Sequence, residues 1–140
     1  MISWLAKRIL ARNMARLRAG DAGPLLRMDA PDVRFRFPGT TSWSGEIHGK
    51  EALEAWLRRF AAVGLQIAPD EVVAKGAPWK GTICVRGRVW LPGPDGDLVY
   101  DNRYVIWGHT AWGRMKDYEV YEDTQRSVAL DEHLAGRGAA

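Results

Sequence analysis

A single cysteine, Cys84, stands in the whole chain. No internal disulfide can form, and no thiol-rich metal site can be built. Cys84 lies in the strand-like run TICVRGRVW, where it reads as an inert buried thiol rather than a nucleophile. A chain without disulfides suits a reducing cytoplasm. Histidine is scarce as well: His48, His109 and His133 are widely spaced, and no His/Cys/carboxylate cluster has metal-ligand spacing. No Gly-rich phosphate loop precedes a helix, so neither a metal nor a nucleotide cofactor is expected. Long apolar runs are also missing. The opening MISWLAKRILARNMARLR is interrupted by charge every few residues, which leaves no signal h-region and no span. Charge of one sign is weak, at +3 net. No nucleic-acid motif or aromatic-basic interleaving accompanies it, so nucleic acid is not an expected partner. The first segment could lie on a membrane as a basic amphipathic helix. Packing its apolar stripe on the domain explains it more simply, and a membrane partner is not expected.

What is abundant is tryptophan, seven in 140 residues. Large rings line cavities and interfaces as well as cores, which points toward a concave apolar pocket. The length fits one domain that buries a sizeable core without staples. No repeat or linker divides the chain, so residues 1–130 are read as a single domain and residues 131–140 as a tail expected to fray.

The order of elements follows from periodicity. Leu5, Ile9 or Leu10, Met14 and Leu17 recur at helical spacing from about Ser3 to Ala19, and Gly20 stops the helix. In VRFRF, Val33, Phe35 and Phe37 alternate with Arg34 and Arg36, the pattern of a half-buried strand. PGTTSWSGEIHG reads as a loop, and KEALEAWLRRFAAV as an amphipathic helix ended by Gly64. QIAPDEVVAKG, TICVRGRVWL, DLVYDNRYVIWGH and RMKDYEVYEDT read as strands parted by turn clusters such as PGPDGD and HTAWG. Helices followed by a run of antiparallel strands give an α+β layer architecture. Its curved antiparallel sheet would wrap over the N-terminal helices and form a cone with an interior pocket.

Two stretches carry a family resemblance. PDVRFRFPGTTSWSGEIHGKEALEAWLRRF resembles the first half of nuclear transport factor 2-like proteins of the SnoaL-like polyketide cyclase group. The shared features are an Asp-x-aromatic strand, a Pro-Gly loop, a small-Gly-x-x-Gly segment and a helix opening on Lys/Arg-Glu-Ala. GRMKDYEVYEDT resembles that group's closing strand. The resemblance implies a cone-shaped sheet over helices, a small-molecule pocket and a homodimer. It does not imply one reaction.

The catalytic patterns of the superfamily fit only in part. The isomerases resemble a proton shuttle with a carboxylate just before the loop proline, where this chain has Phe37, and with a tyrosine near the position of Asn13. The epoxide hydrolases look like an Asp-Arg-Asp set. Asp101 and Arg103 invite that comparison, but Val120 stands where the second carboxylate belongs. The cyclases resemble a single late-strand Asp helped by His, and here no His pairs with a carboxylate in sequence.

A hairpin across HTAWG would pair Tyr104 with Tyr118, Asn102 with Val120 and Arg103 with Glu119. Alternation then sends Asp101 and Arg103 outward with Asp117 and Glu119. Asn102 turns inward among Tyr100, Tyr104 and Tyr118. A buried amide must be hydrogen-bonded, whether by a tyrosine, the backbone or a ligand. The expected site therefore has Asn102, Tyr104 and Tyr118 orienting a small apolar or aromatic molecule against Phe37, Trp43 and Trp56. Asp32 or Glu122 would act as acid/base, if the pocket desolvates it. Cofactor-independent proton transfer, as in cyclisation, dehydration or isomerisation, is the matching chemistry. The alternative is a non-catalytic dimerising or protein-interaction module, which a cone filled by its own aromatic side chains would favour.

Overall fold

A computed structural model describes residues 2–137. Helix α1 (Ile2–Arg18) forms where the helical stripe was read. Its buried face is Leu10, Met14 and Leu17, while Leu5 is exposed and Ala6 packs in its place. Asn13 is buried on the same helix, and its amide donates to the Pro24 carbonyl and the Met28 sulfur, which ties α1 to the short helix α2 (Gly23–Arg27).

Strand β1 (Asp29–Phe37) runs four residues further back than the VRFRF alternation alone requires. The stretch read as a loop contains a short strand, β2 (Gly45–His48), paired antiparallel with β1. Helix α3 (Lys50–Val63) buries Leu53, Leu57 and Phe60, and ends on Gly64 in the left-handed conformation (φ 94°), which glycine adopts without the Cβ clash. Four strands complete the sheet: β3 (Gln66–Ala77), β4 (Lys80–Pro92), β5 (Leu98–Ala111) and β6 (Arg114–Glu122). Their order is β2-β1-β6-β5-β4-β3, a curved open sheet in which only β1 and β6 pair in parallel. The helices cover its inner face.

Helix α4 (Thr124–Gly136) corrects the expectation of a frayed tail. Asp123 caps it by accepting from the Gln125 backbone N–H at 3.0 Å, and Leu130 and Leu134 bury into the core, Leu134 completely. The tail pattern had been read without its partner surface, and tertiary burial supplies what local propensity lacked. Residues 138–140 lie outside the described residues.

The β5–β6 hairpin differs from the expected register in an instructive way. The turn is two residues, Trp112 and Gly113, both with positive φ (55° and 77°), the geometry that matches sheet twist in tight hairpins. A turn centred there would put Tyr118 on the opposite face from Tyr104. A bulge between His109 and Thr110 adds one residue and restores the parity. Tyr104 thus pairs with Glu122, Ile106 with Val120 and Gly108 with Tyr118. The inward set is as expected, but the partners are displaced by four. Arg103 stands opposite Arg88 instead of Glu119, and Glu119 stands opposite Trp107 and reaches Arg36 at 3.7 Å. Cys84 likewise is not buried. It sits half-buried between Val73 and Trp107 on the outer face. No helix among the described residues is long and apolar enough to cross a membrane.

Candidate functional site

The inner face of the sheet and the covering helices enclose a cavity of about 160 Å³. An apolar cavity of roughly 150 Å³ takes one benzene ring, so this one suits a ring-sized group. Its aromatic wall is a continuous cluster. Phe35 lies edge-on to Trp56 at 4.9 Å and tilted against Tyr118 at 5.0 Å, and Phe37 is 5.4 Å from Trp56. Trp43 meets Trp56 at 5.5 Å, and Trp56 stacks on Phe60 at 5.8 Å. These rings come from β1, β6, α3 and the loop before β2, so four separate segments must fold together to make the wall. The Trp56 indole N–H donates to the Trp43 carbonyl at 3.1 Å, and the Arg59 guanidinium covers the Trp43 ring at 3.8 Å. The opposite wall is aliphatic, with Leu10 and Met14 of α1 facing Val85 and Val89 of β4.

Against this apolar lining stand two carboxyls, Asp29 and Glu122. Glu122 closes β6, and its Oε1 accepts from the Ser127 hydroxyl of α4 at 2.5 Å. Burial pushes the Glu122 carboxyl up to about 7, against the pull of the Ser127 hydrogen bond, with the Asp123 charge adding to the rise. Asp29 opens β1 and is 3% exposed. Burial raises it to about 7 also, with only the Lys50 charge pulling it down. Tyr100, Tyr104 and Tyr118 complete the polar part of the lining. Tyr118 is held well above its ordinary value by burial and by the nearby Asp29 charge. The Tyr104 hydroxyl donates to the Ala68 carbonyl at 3.1 Å, and burial pushes its acidity down as well.

Of the expected site residues, Phe37, Trp43, Trp56, Tyr104, Tyr118 and Glu122 are brought together around this one cavity. Asp32 is not. Its side chain is 74% exposed and paired with Lys116 at 2.8 Å, which holds it below the usual carboxylate range. It shares the outward face of β1 with Arg34 and Arg36, where the Lys116 partner outweighs what little desolvation acts on it.

Asn102 is buried but does not line the cavity. Its amide donates to the Tyr100 hydroxyl and to the Asp123 carbonyl, both at 3.0 Å, and its oxygen accepts from the Arg103 backbone N–H at 2.9 Å. The two amide hydrogens and the carbonyl oxygen thus all have protein partners, so the amide orients Tyr100 and the start of α4. Asn102→Leu strands one buried and two part-buried groups and should lower stability by about 2 kcal/mol, read as a lower urea midpoint with an unchanged slope. Asp101 faces out to Arg126 at 3.1 Å, as alternation required. His109 pairs with Asp117 at 2.8 Å, but on the outer face.

Among the described residues no group of three or more His, Cys, Asp or Glu could hold a metal ion. Two functional candidates were missed. Asp29 lies beyond an irregularity in the β1–β6 pairing, with Ala30 buried and Pro31 exposed, so alternation from Val33 does not reach it. Ser127 had no signal, because the segment around it was read as tail.

An open, curved sheet of this order over N-terminal helices, with an apolar interior cavity, defines the class of cone-fold small-domain proteins. The chain matches the SnoaL-like domain model over residues 10–118 and belongs to that family, within the nuclear transport factor 2-like superfamily. No curated protein matches it. Among solved structures it is similar to a nuclear transport factor 2-like protein of unknown function from Burkholderia pseudomallei (22% identity, 91% of this chain and 93% of that one, TM-score 0.67). It is also similar to TerC co-crystallized with polyporic acid (23%, 89% and 95%, TM-score 0.70). A third is a putative SnoaL-like polyketide cyclase from Jannaschia sp. (15%, 93% and 93%, TM-score 0.67). At these identities the likeness speaks for the fold.

Proposed function

We propose that the cone binds a small apolar or aromatic molecule and that Glu122 transfers a proton on it. The observation that carries this reading is a partly buried carboxyl, raised to about 7, set in a cavity whose other walls are almost wholly apolar. A group titrating near working pH can both accept and return a proton, the property general acid–base catalysis needs. Ser127 fixes one carboxyl oxygen and leaves the other for substrate. Asn102 donates to the Tyr100 oxygen, and the same phenol lies beside Ser127 and the Glu122 carboxyl, which sets Tyr100 and Glu122 together at one end of the cavity. There the phenol can stabilise charge developing on a substrate oxygen. Isomerisation, cyclisation or dehydration next to a carbonyl would use this pair without a cofactor. TerC, which shares the fold, has been co-crystallized with polyporic acid, and that supports a small-molecule ligand for this fold. A cavity that the aromatic wall does not fill favours this reading over a purely structural module.

The test is a thermal-shift screen of ketides, terpenoids and sterols, since a molecule that binds only the folded state raises Tm. Turnover of any hit is then followed in Glu122→Gln. The variant should keep ligand binding within a few-fold and lose about 10²-fold or more in kcat. Unchanged kcat in Glu122→Gln would remove Glu122 from the chemistry.

A further inference from the structure

Within that reading of the cone, Asp29 remains unused. Asp29 is 3% exposed, it borders the cavity, and among the described residues no side-chain hydrogen bond acts on its carboxyl. Most buried polar side chains find a partner. Glu122 has Ser127, and Asn102 has three partners. Of the two carboxyls that border the cavity, Asp29 is the one without a hydrogen-bond partner. Among the described residues, the fully buried polar atoms that lack a partner are Trp43 Nε1 and His133 Nε2.

We propose that Asp29 is a second ligand contact, which selects ring-bearing apolar molecules carrying a hydroxyl or N–H donor at the end remote from Glu122. Two features argue for separate contacts. On β6, Asp29 is opposite Met115 whereas Glu122 is the last residue of the strand. With one bulged residue between them, about six residue rises separate these positions, so roughly 20 Å of curved strand is an upper limit on the distance between two carboxyls that border one cavity. Between them lies the ring wall, with Phe35 opposite Tyr118. A molecule anchored at Asp29 would therefore lay its ring on that wall, with its far end directed toward Glu122.

The choice of a donor follows from carboxyl chemistry. A carboxyl oxygen accepts a hydrogen bond in either protonation state, but only the protonated form can donate. A hydroxyl or N–H is thus met at any pH, and a bare acceptor is not. A ligand without a donor would leave the buried carboxyl unpartnered, and that penalty is the basis of selection.

The probes are toluene and p-cresol, which match in size and differ by one hydroxyl. They are too short to span the two carboxyls, so they report on one at a time. Binding is measured by isothermal titration to the full chain and to Asp29→Leu, Asp29→Asn and Glu122→Leu. In the wild type p-cresol should bind at least about tenfold more tightly than toluene. The preference should fall to within about twofold in Asp29→Leu, where toluene binding is kept or improved. It should survive in Asp29→Asn, which retains an acceptor, and in Glu122→Leu. If toluene binds but the preference persists in Asp29→Leu, or disappears in Glu122→Leu instead, the assignment of Asp29 is overturned while the cone reading stands. If neither probe binds the wild type up to its solubility limit, the cone reading fails and the Asp29 contact fails with it.

Discussion

Gly87→Ala is expected to cost at least about 3 kcal/mol and to lower Tm by about 10 °C. Gly87 sits in β4 between Pro69 on β3 and Tyr104 on β5. A Cβ there would run into the Ala68 carbonyl and the Tyr104 hydroxyl, with the ring carbon bearing that hydroxyl only 2.6 Å away. The ring of Tyr104 crosses over the glycine so that its hydroxyl reaches Ala68, just before the bulge between Pro69 and Glu71. Neither obstacle can yield cheaply: one is backbone held in a ladder, and the other is a buried ring fixed by a hydrogen bond. Truncating the ring in a Gly87→Ala/Tyr104→Leu double variant removes only one of the two clashes. It should therefore remain well below wild type in a thermal melt. Tyr104→Phe by itself keeps the ring and loses one hydrogen bond, about 1 kcal/mol. A Gly87→Ala melt within a degree or two of wild type would show that β3 and β5 are free to move apart.

The same strand pair shows why face was easier to read than register. Alternation fixes which residues look inward, and Tyr100, Asn102, Tyr104, Tyr118, Val120 and Glu122 all do so. Register depends on where the turn sits and on whether a bulge intervenes. Trp112 at positive φ is a poor advertisement for a tight turn, since Asn or Gly is the usual occupant. The bulge at His109 has no sequence mark at all. In MDAPD, alternation sends Asp32 outward with Arg34 and Arg36, but it does not place Asp29, because the pairing of β1 with β6 shifts between Asp29 and Arg34. Pro31 marks the sequence as a break, and the burial of Asp29 before it follows from the tertiary fold. Ser127 and the burial of Leu134 were beyond local reading. Only the surface that β5 offers turns a weakly amphipathic tail into α4. The outward faces of the strands leave Val73, Trp107 and Tyr121 exposed.

Stability should fall as pH rises from about 5 to 8, the reverse of the trend that paired surface carboxylates produce. Asp29 and Glu122 have ordinary values of 3.8 and 4.5 and are raised to about 7 in the folded protein, chiefly by burial. Between about pH 4.5 and 7 the native state therefore holds more protons than the unfolded state, and unfolding free energy declines with pH. Below that window both states are protonated and the burial of neutral acids costs little. Above it both states are ionised and the full cost of two buried charges is present, on the order of 3–4 kcal/mol for each group. Asp21, Asp32 and Glu46 act in the opposite sense, because partners lower them. Their support is lost only as pH falls below the usual carboxylate range, which leaves an optimum near pH 4. Guanidinium unfolding at pH 5 and pH 8 checks this directly. Asp29→Asn and Glu122→Gln should each remove about half of the difference and be more stable than wild type at pH 8, while staying close to it at pH 5. A midpoint that is the same at both pH values in the wild type would mean that water reaches these carboxyls freely. A cavity used only for packing gains nothing from two acids that destabilise it at neutral pH. If the variants gain stability at pH 8 and lose binding or turnover of a cone ligand, the acids are retained for the ligand.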